Sequence, residues 1–377
     1  MARRSQRKAA QRGADATGPA AHAPSAPEIR LVATTLSGNS EELVADALRS
    51  VVDWVDVCLL IDTGITDTTR ERAREVAGDK LVVRTLAWTN DFAAARNFAL
   101  DAAAECGGDW AVTLDTDERL DVGAIDVRAV LARATEGVFY VSDAARTYVK
   151  ERFFRLPTKA RWSGPTHESF PAYQAGARTL EGVTFTELAK SKEAYQRKFE
   201  RDAEVLARYT AEHPTDPRWW FYLGESHRHL GHHQAAAEAY DRCAALRGWD
   251  EESAWACYRA ADCMLQLGRP AEAIDRCAAG LARHAGIAEL AWLAGYACYQ
   301  LNRDAQAIHW SKLAVVHGLF RGDGAAIQRI GFRHPSALWE GPYDVMRWAF
   351  KRLGNVAAMN EAELLYQAAK KAREATA

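Results

Sequence analysis

The sequence lacks the features that place a chain in a membrane or stabilise it with disulfide bonds. No apolar run among its 377 residues approaches the roughly 18–20 residues that cross a bilayer. Residues 1–8 have no apolar core, so we expect neither a signal peptide nor secretion. The seven cysteines are an odd number and include no Cys-x-x-Cys pair. We therefore expect reduced, mostly buried thiols in a cytoplasmic protein.

The sequence also has little net charge. Its 48 basic and 50 acidic residues give a formal charge of −2, which does not favour a nucleic-acid partner, although a local basic patch is compatible with this value. Residues 1–28 are rich in Ala, Pro, Gly and Arg and have almost no apolar periodicity, which predicts a disordered basic tail. Nothing in the sequence indicates an oligomeric state.

Strands and helices alternate after this tail, and the pattern predicts an α/β domain. Apolar runs predict strands at 29–35, 57–62, 81–83 and 110–114, with helices between them at 40–52, 66–76 and 91–105. Four strands alternating with three helices predict a mostly parallel, Rossmann-like sheet with right-handed crossovers. Further strands are expected at 138–141 and 152–156.

Three carboxylates follow the fourth predicted strand: Asp115, Asp117 and Glu118. Because burial of an unpaired carboxylate is costly, packing does not explain an Asp-x-Asp pair at a strand end. Open α/β sheets bind ligands at the carboxyl ends of their strands, and paired carboxylates there can bind a hard divalent cation. The structural alternative is a polar strand end whose aspartate caps the next helix.

Polar side chains from other elements are expected near the same edge. Thr35 and Asp62 end the first two strands, and Arg96 lies on the third helix. Asp62 can accept from a base or a ribose, and Arg96 can donate to a base or a phosphate. The alternatives are that Asp62 binds the backbone of its own turn and that Arg96 pairs with a surface carboxylate.

His167 and Glu168 are adjacent in a loop that follows Trp162. A neutral histidine can complete a metal shell, and a glutamate can act as a general base. Neighbouring side chains in an extended loop point to opposite sides, so we expect different roles. In our preferred interpretation His167 binds the metal and Glu168 is the general base. In the competing one His167 is the base and Glu168 orients it or pairs with an arginine such as Arg161.

Four segments carry a family resemblance: 61–67 (IDTGITD), 88–97 (WTNDFAAARN), 114–118 (LDTDE) and 164–168 (GPTHE). In this order they resemble the family 2 glycosyltransferases of GT-A fold. The most similar branch carries C-terminal tetratricopeptide repeats and includes the sublancin-type peptide S-glycosyltransferases. The resemblance covers about residues 29–366.

The resemblance implies a role for each candidate residue. Thr35, Asp62 and Arg96 would line the nucleoside pocket, Asp115 and Asp117 would bind the metal and the donor diphosphate, and His167 and Glu168 would lie on the acceptor side. It also implies Mn²⁺ or Mg²⁺, a nucleotide-sugar donor such as a UDP-sugar, hexosyl transfer and inversion. The chain departs from the family at 36–39 (LSGN), where a basic-Asn-Glu run is common, and at Ile65, which replaces a usual serine. The first departure concerns base recognition, and the second removes a turn hydroxyl.

From residue 191 onward the apolar period is helical. The turn positions Gly231, Gly268 and Asn302 lie 37 and then 34 residues apart, which predicts an all-α tetratricopeptide-like domain over 191–377. A weaker fourth unit around Gly354 follows an insertion at 318–341. Such a stack can bind a peptide on its concave face or support the catalytic domain.

Together these patterns predict three segments: a tail (1–28), a GT-A domain (29–190) and a repeat domain (191–377). They predict a metal-dependent glycosyltransferase whose acceptor is a peptide or protein. The alternatives are a nucleic-acid or small-molecule acceptor, a non-catalytic repeat scaffold with a vestigial nucleotide-binding domain, and a nucleotidyltransferase-like enzyme.

Overall fold

A computed structural model describes residues 28–172, 176–318 and 334–376. The predicted tail lies outside the described residues except for Glu28, and so does most of the predicted insertion before the fourth helical unit.

A single sheet organises the N-terminal part. Its strands in the described ranges are β1 (Leu31–Ser37), β2 (Val57–Asp62), β3 (Leu81–Thr85), β4 (Trp110–Thr113), β5 (Glu118–Asp121), β6 (Val138–Asp143), β7 (Val149–Arg155) and β8 (Ala177–Glu187). The helices of this part are α1 (Val44–Arg49), α2 (Thr69–Ala77), α3 (Phe92–Glu105) and α4 (Val127–Arg133).

The strand order is β3-β2-β1-β4-β7-β6-β8-β5. β1 pairs in parallel with both β2 and β4, and β2 pairs in parallel with β3, so the predicted parallel sheet is confirmed. β7 then runs antiparallel beside β4. Because β1 to β4 share one direction, their carboxyl ends meet at one edge of the sheet.

Both faces of this sheet are covered. Along β1, Leu31 and Ala33 belong to one core cluster, while Val32 between them belongs to the other. Alternate residues of a strand point to opposite faces, so two cores form above and below one continuous apolar run. The end of β4 is thereby fixed between two packed layers.

The described residues from 192 onward are mainly helical. Their helices are α5 (Lys192–Glu212), α6 (Pro217–His229), α7 (His233–Leu246), α8 (Asp250–Gln266), α9 (Pro270–Arg283), α10 (Ala288–Gln300), α11 (Asp304–His317), α12 (Pro335–Leu338), α13 (Gly341–Arg352) and α14 (Val356–Thr376).

Four turns join eight of these helices into pairs: α6 with α7, α8 with α9, α10 with α11, and α13 with α14. Gly231, Gly268, Asn302 and Gly354 have φ values of 76°, 70°, 58° and 69°, so the predicted turn positions are confirmed. Glycine and asparagine tolerate this left-handed region, which ends one helix and lets the next fold back. Within a pair the approach is close, because a Cβ added at Gly224 would lie 2.6 Å from the ring of Tyr240.

The cysteines agree with the sequence prediction, since all seven are free and every one except Cys106 is buried. None of the described helices combines the length and the apolarity that a membrane span requires.

Candidate functional site

Asp115 and Asp117 lie in a tight turn between β4 and β5. The Leu114 N–H donates to the Thr34 carbonyl on β1 at 3.0 Å, which continues the parallel pairing to the start of the turn. The Glu118 N–H then donates to the Asp115 carbonyl at 3.0 Å and closes the turn. The side chains of Asp115 and Asp117 are 31% and 20% exposed, so both carboxylates are accessible at the ligand-binding edge of the sheet.

Arg96 joins Asp115 to Glu168. From α3, its Nη1 and Nη2 each lie 3.3 Å from Asp115 Oδ1, and its Nε donates to Glu168 Oε1 at 2.5 Å. Burial acts to raise the pKa of Asp115, but the charges of Arg96 and Arg152 outweigh it and lower this pKa to about 2. The Asp115 carboxylate is therefore ionised at neutral pH.

A buried ion cluster supports this turn from below. Glu118 and Arg152, which are 1% and 3% exposed, form a direct ion pair, and Lys150 Nζ lies 2.8 Å from Glu118 Oε1. Arg152 also lies 4.0 Å from Asp115. The Asp115 N–H donates to Glu118 Oε2 at 3.3 Å, so the buried glutamate fixes the backbone of the turn as well.

Lys190, which follows β8, neutralises Asp117. Lys190 Nζ lies 2.6 Å from Asp117 Oδ2 and 3.0 Å from Glu187 Oε1. Although desolvation acts to lower the pKa of Lys190, these two carboxylates raise it above its ordinary value. Asp117 thus already holds one cation, which the protein itself supplies.

Asp62 ends β2 as expected, whereas Thr35 lies two residues before the end of β1 and is level with Leu60. Thr35 is 1% exposed, and its hydroxyl has no hydrogen-bond partner among the described residues. Asp62 accepts from the N–H groups of Gly64 and Ile65 at 2.8 and 2.7 Å and pairs with the half-exposed Arg70. The structural alternative for Asp62, a bond to its own turn, is therefore present.

The loop that carries His167 and Glu168 separates their side chains. Glu168 faces Arg96, whereas the His167 ring stacks on Tyr222 of α6 with centroids 4.2 Å apart. His167 Nε2 lies 3.6 Å from Asp202 Oδ2 on α5. The expectation that the two side chains point to opposite sides of the loop agrees with this placement.

The N-terminal part of the chain matches a known protein family. Residues 36–192 match the model of the family described as glycosyl transferase family 2. They form a family 2 glycosyltransferase domain. This domain includes every candidate site residue except Thr35, which lies one position before the match begins.

Three individual proteins are each similar to part of this chain. A TPR repeat-containing protein of Synechococcus elongatus is 37% identical over 134 residues, which are 34% of this chain and 32% of that protein. The chain therefore matches about a third of the length of this relative. A structure of MamA from Desulfovibrio magneticus RS-1 is 15% identical, covers 49% of this chain and 98% of that one, and has a TM-score of 0.35. YrrB, described as a TPR protein with an unusual peptide-binding site, is 11% identical, covers 46% and 84%, and has a TM-score of 0.34.

The glycosyltransferase domain does not bring all three predicted metal ligands together. Within 28–172, 176–318 and 334–376, no three His, Cys, Asp or Glu side chains converge as a metal-binding group. His167 lies against α5 and α6 instead of joining Asp115 and Asp117. The sequence does not reveal the backbone conformation of this loop, in which His167 has a φ of 51° and its ring stacks on Tyr222.

Several charged residues of the domain were not anticipated: Lys150, Arg152, Glu187 and Lys190. The sequence contained one indication of this cluster. Lys150 and Arg152 are two residues apart, so their side chains lie on the same face of a strand. Which strand that face adjoins depends on the antiparallel pairing of β7 with β4, which the sequence does not reveal.

The buried cluster generates a stability prediction. Glu118→Gln removes the charge that compensates Arg152, and breaking one side of a buried ion pair typically costs about 3–5 kcal/mol. We expect a loss of about 3 kcal/mol in the free energy of unfolding, measured by urea denaturation. The matched change at an exposed site, Glu71→Gln on α2, should leave the unfolding midpoint unchanged. Equal midpoints for Glu118→Gln and the parent protein would contradict the role of the cluster.

Proposed function

We propose that the protein is a hexosyl-type glycosyltransferase that moves a sugar from a UDP-sugar to a side chain of a peptide or protein, with inversion. The observation that carries the proposal is the Arg96 bridge inside a family 2 glycosyltransferase domain. Its guanidinium contacts both Asp115, at the carboxyl edge of the parallel strands, and Glu168, on the loop beyond this edge.

The donor nucleoside would bind along the ends of β1 and β2. The enclosed Thr35 hydroxyl lacks a partner among the described groups, and a bound nucleoside would supply one. Asp62 would take part mainly through its turn, since its oxygens already bind Gly64, Ile65 and Arg70. Arg96 would lie beside the phosphates and balance their charge.

Asp115 and Asp117 fit a divalent cation, Mn²⁺ or Mg²⁺, in the chemistry of their donors. Such ions commonly bind one or two carboxylates together with substrate phosphates, so a third protein ligand is not needed. Asp115 is ionised, and Asp117 already holds the Lys190 ammonium, which a metal would have to displace. When bound, the cation would neutralise the negative charge of the departing diphosphate.

Glu168 is the proposed general base. Its carboxylate would accept the proton of an acceptor hydroxyl or thiol as that oxygen or sulfur forms a bond to the anomeric carbon. The bond from this carbon to the diphosphate breaks at the same time, and its electron pair leaves with the diphosphate. Arg96 holds Glu168 in place and keeps a positive charge between the base and the diphosphate.

The helices from Lys192 onward would provide the macromolecular surface of a cytoplasmic enzyme. Stacked helix pairs form extended surfaces that suit a peptide, and the relative from Synechococcus elongatus is described as a TPR repeat-containing protein. The net charge of −2 does not favour a nucleic-acid acceptor.

A panel of nucleotide-sugars tests the proposal. Thermal shift with and without Mn²⁺ should identify one donor that stabilises the protein, and this donor should release its nucleoside diphosphate when peptides are added. Stabilisation without transfer to any acceptor would favour the scaffold alternative, and release of pyrophosphate would favour a nucleotidyltransferase.

The carboxylate turn generates the next prediction. Asp115→Asn and Asp117→Asn should each lower kcat by about 10²-fold or more, because the departing diphosphate loses its compensating charge. Circular dichroism and the melting temperature should stay close to those of the parent protein. Asp53→Asn, at an exposed site after α1, is the matched control. Near-full activity with unchanged Mn²⁺ dependence in either variant would refute the Asp-x-Asp assignment.

The separation of His167 from Glu168 gives a further prediction. Glu168→Gln should lower kcat by about 10²–10⁴-fold, with UDP and Mn²⁺ affinities unchanged, as expected for a general base. His167→Ala should leave the half-maximal Mn²⁺ concentration unchanged, because its ring faces Tyr222 and Asp202. Weaker Mn²⁺ binding in His167→Ala would restore this histidine as a metal ligand.

A further inference from the structure

The loop that carries Glu168 is closed at its base. Ser163 and Ser169 exchange two backbone hydrogen bonds of 3.0 Å, so residues 163–169 form a compact unit. On the sheet-domain side, the Phe92 N–H donates to the Pro165 carbonyl at 2.8 Å, and Glu168 binds Arg96. These contacts hold only one face of the loop.

The opposite face packs on the first two helices of the helical region. Asp202 of α5 is fully buried and accepts from the Thr166 hydroxyl at 3.3 Å, with His167 Nε2 at 3.6 Å. Lys198 and Arg201 also pair with Asp202, at 2.6 and 2.8 Å. Burial acts to raise the pKa of Asp202, but His167, Lys198 and Arg201 keep it well below its ordinary value. Asp202 is thus an ionised group directed at the loop.

Helix α6 completes this contact. Arg218 Nη2 donates to the His167 carbonyl at 3.1 Å, and its guanidinium lies 4.9 Å from the centre of the Tyr222 ring on which His167 stacks. Trp219 packs so closely against Gly164 that a Cβ there would lie 2.0 Å from its ring. The helical region therefore contacts the loop at three successive places: Gly164, Thr166 and His167.

The backbone of the loop is strained at the residue before Glu168. His167 has a φ of 51°, which a non-glycine residue adopts at a cost and keeps only where its surroundings fix it. Asp202, Arg218 and Tyr222 are those surroundings. With His167 directed to the helices, Glu168 is turned toward Arg96.

We propose that Asp202 and Arg218 are positioning residues of the transfer reaction, so that α5 and α6 form part of the catalytic site. They act through the conformation of residues 163–169, which sets the direction of the Glu168 carboxylate. This inference rests on the proposed function only for its effect on transfer, because the loop conformation can be measured without any reaction.

The first measurement is hydrogen exchange of the full-length protein, read on the peptide that covers residues 163–169. Asp202→Ala removes the acceptor for Thr166, and Arg218→Met removes the bond to the His167 carbonyl while retaining an apolar stem. Exchange in this peptide should rise about 10-fold in each variant. Asp241→Asn is the matched control, because it breaks an ion pair with Arg276 at 2.7 Å between α7 and α9 and should not alter this peptide.

The second measurement is a double-mutant cycle on kcat. Asp202→Ala should lower kcat about 10-fold with unchanged UDP affinity, but less than about twofold in a Glu168→Gln background, because residues that act as a unit are non-additive. Arg218→Met should behave in the same way, which guards against a folding defect of one variant.

The outcomes are distinguishable. Unchanged loop exchange in both variants overturns the inference, and so does the same fold-loss of kcat with and without Glu168. If the parent protein transfers no sugar but both variants loosen the loop, the role of Asp202 and Arg218 in fixing the loop conformation stands and the proposed function fails.

Discussion

Arg96 places one positive charge between the carboxylates of Asp115 and Glu168, and the arrangement of the site depends on it. Without that guanidinium, two carboxylates at the same edge would repel each other and neither position would be defined. The bridge depends in turn on α3 and on the buried ion pair that supports the turn. Helix α3 sets the arginine against the sheet, and the buried pair of Glu118 and Arg152 holds the turn that presents Asp115.

The glycosyltransferase domain and the helices are joined by more than the covalent chain. Asp202 on α5 accepts a hydrogen bond from Thr166, and Arg218 on α6 donates one to the His167 carbonyl, so both helices bind the loop that carries Glu168. This loop of the glycosyltransferase domain therefore contacts two helices that lie almost entirely beyond the matched residues 36–192. A repeat stack attached in this way supports the site directly, which is compatible with a second role in binding a macromolecular acceptor.

Local sequence patterns predicted the fold well, because the strands and helix pairs are determined by residues that are close in sequence. The parallel strands follow from buried apolar runs between capped helices, and the helix pairs follow from regularly spaced residues at positive φ, as at Gly231 and Gly268. Asp115 and Arg96 each belong to a distinctive sequence segment, and the structure brings these two candidate residues together. The sequence could not predict where the His167 ring lies, because its left-handed backbone is held by contacts with α5 and α6. Nor could it place Lys190 on Asp117, because this contact depends on how β8 returns to β5.

The most direct test of this account is a crystal structure of the full-length protein with UDP and Mn²⁺, with the metal located by its anomalous signal. In this complex the diphosphate and the Mn²⁺ peak should lie beside Asp115 and Asp117, with the Lys190 ammonium displaced from Asp117 and Arg96 still bound to Glu168. UDP and Mn²⁺ located away from this edge, with Lys190 still on Asp117, would contradict the assignment of the donor site.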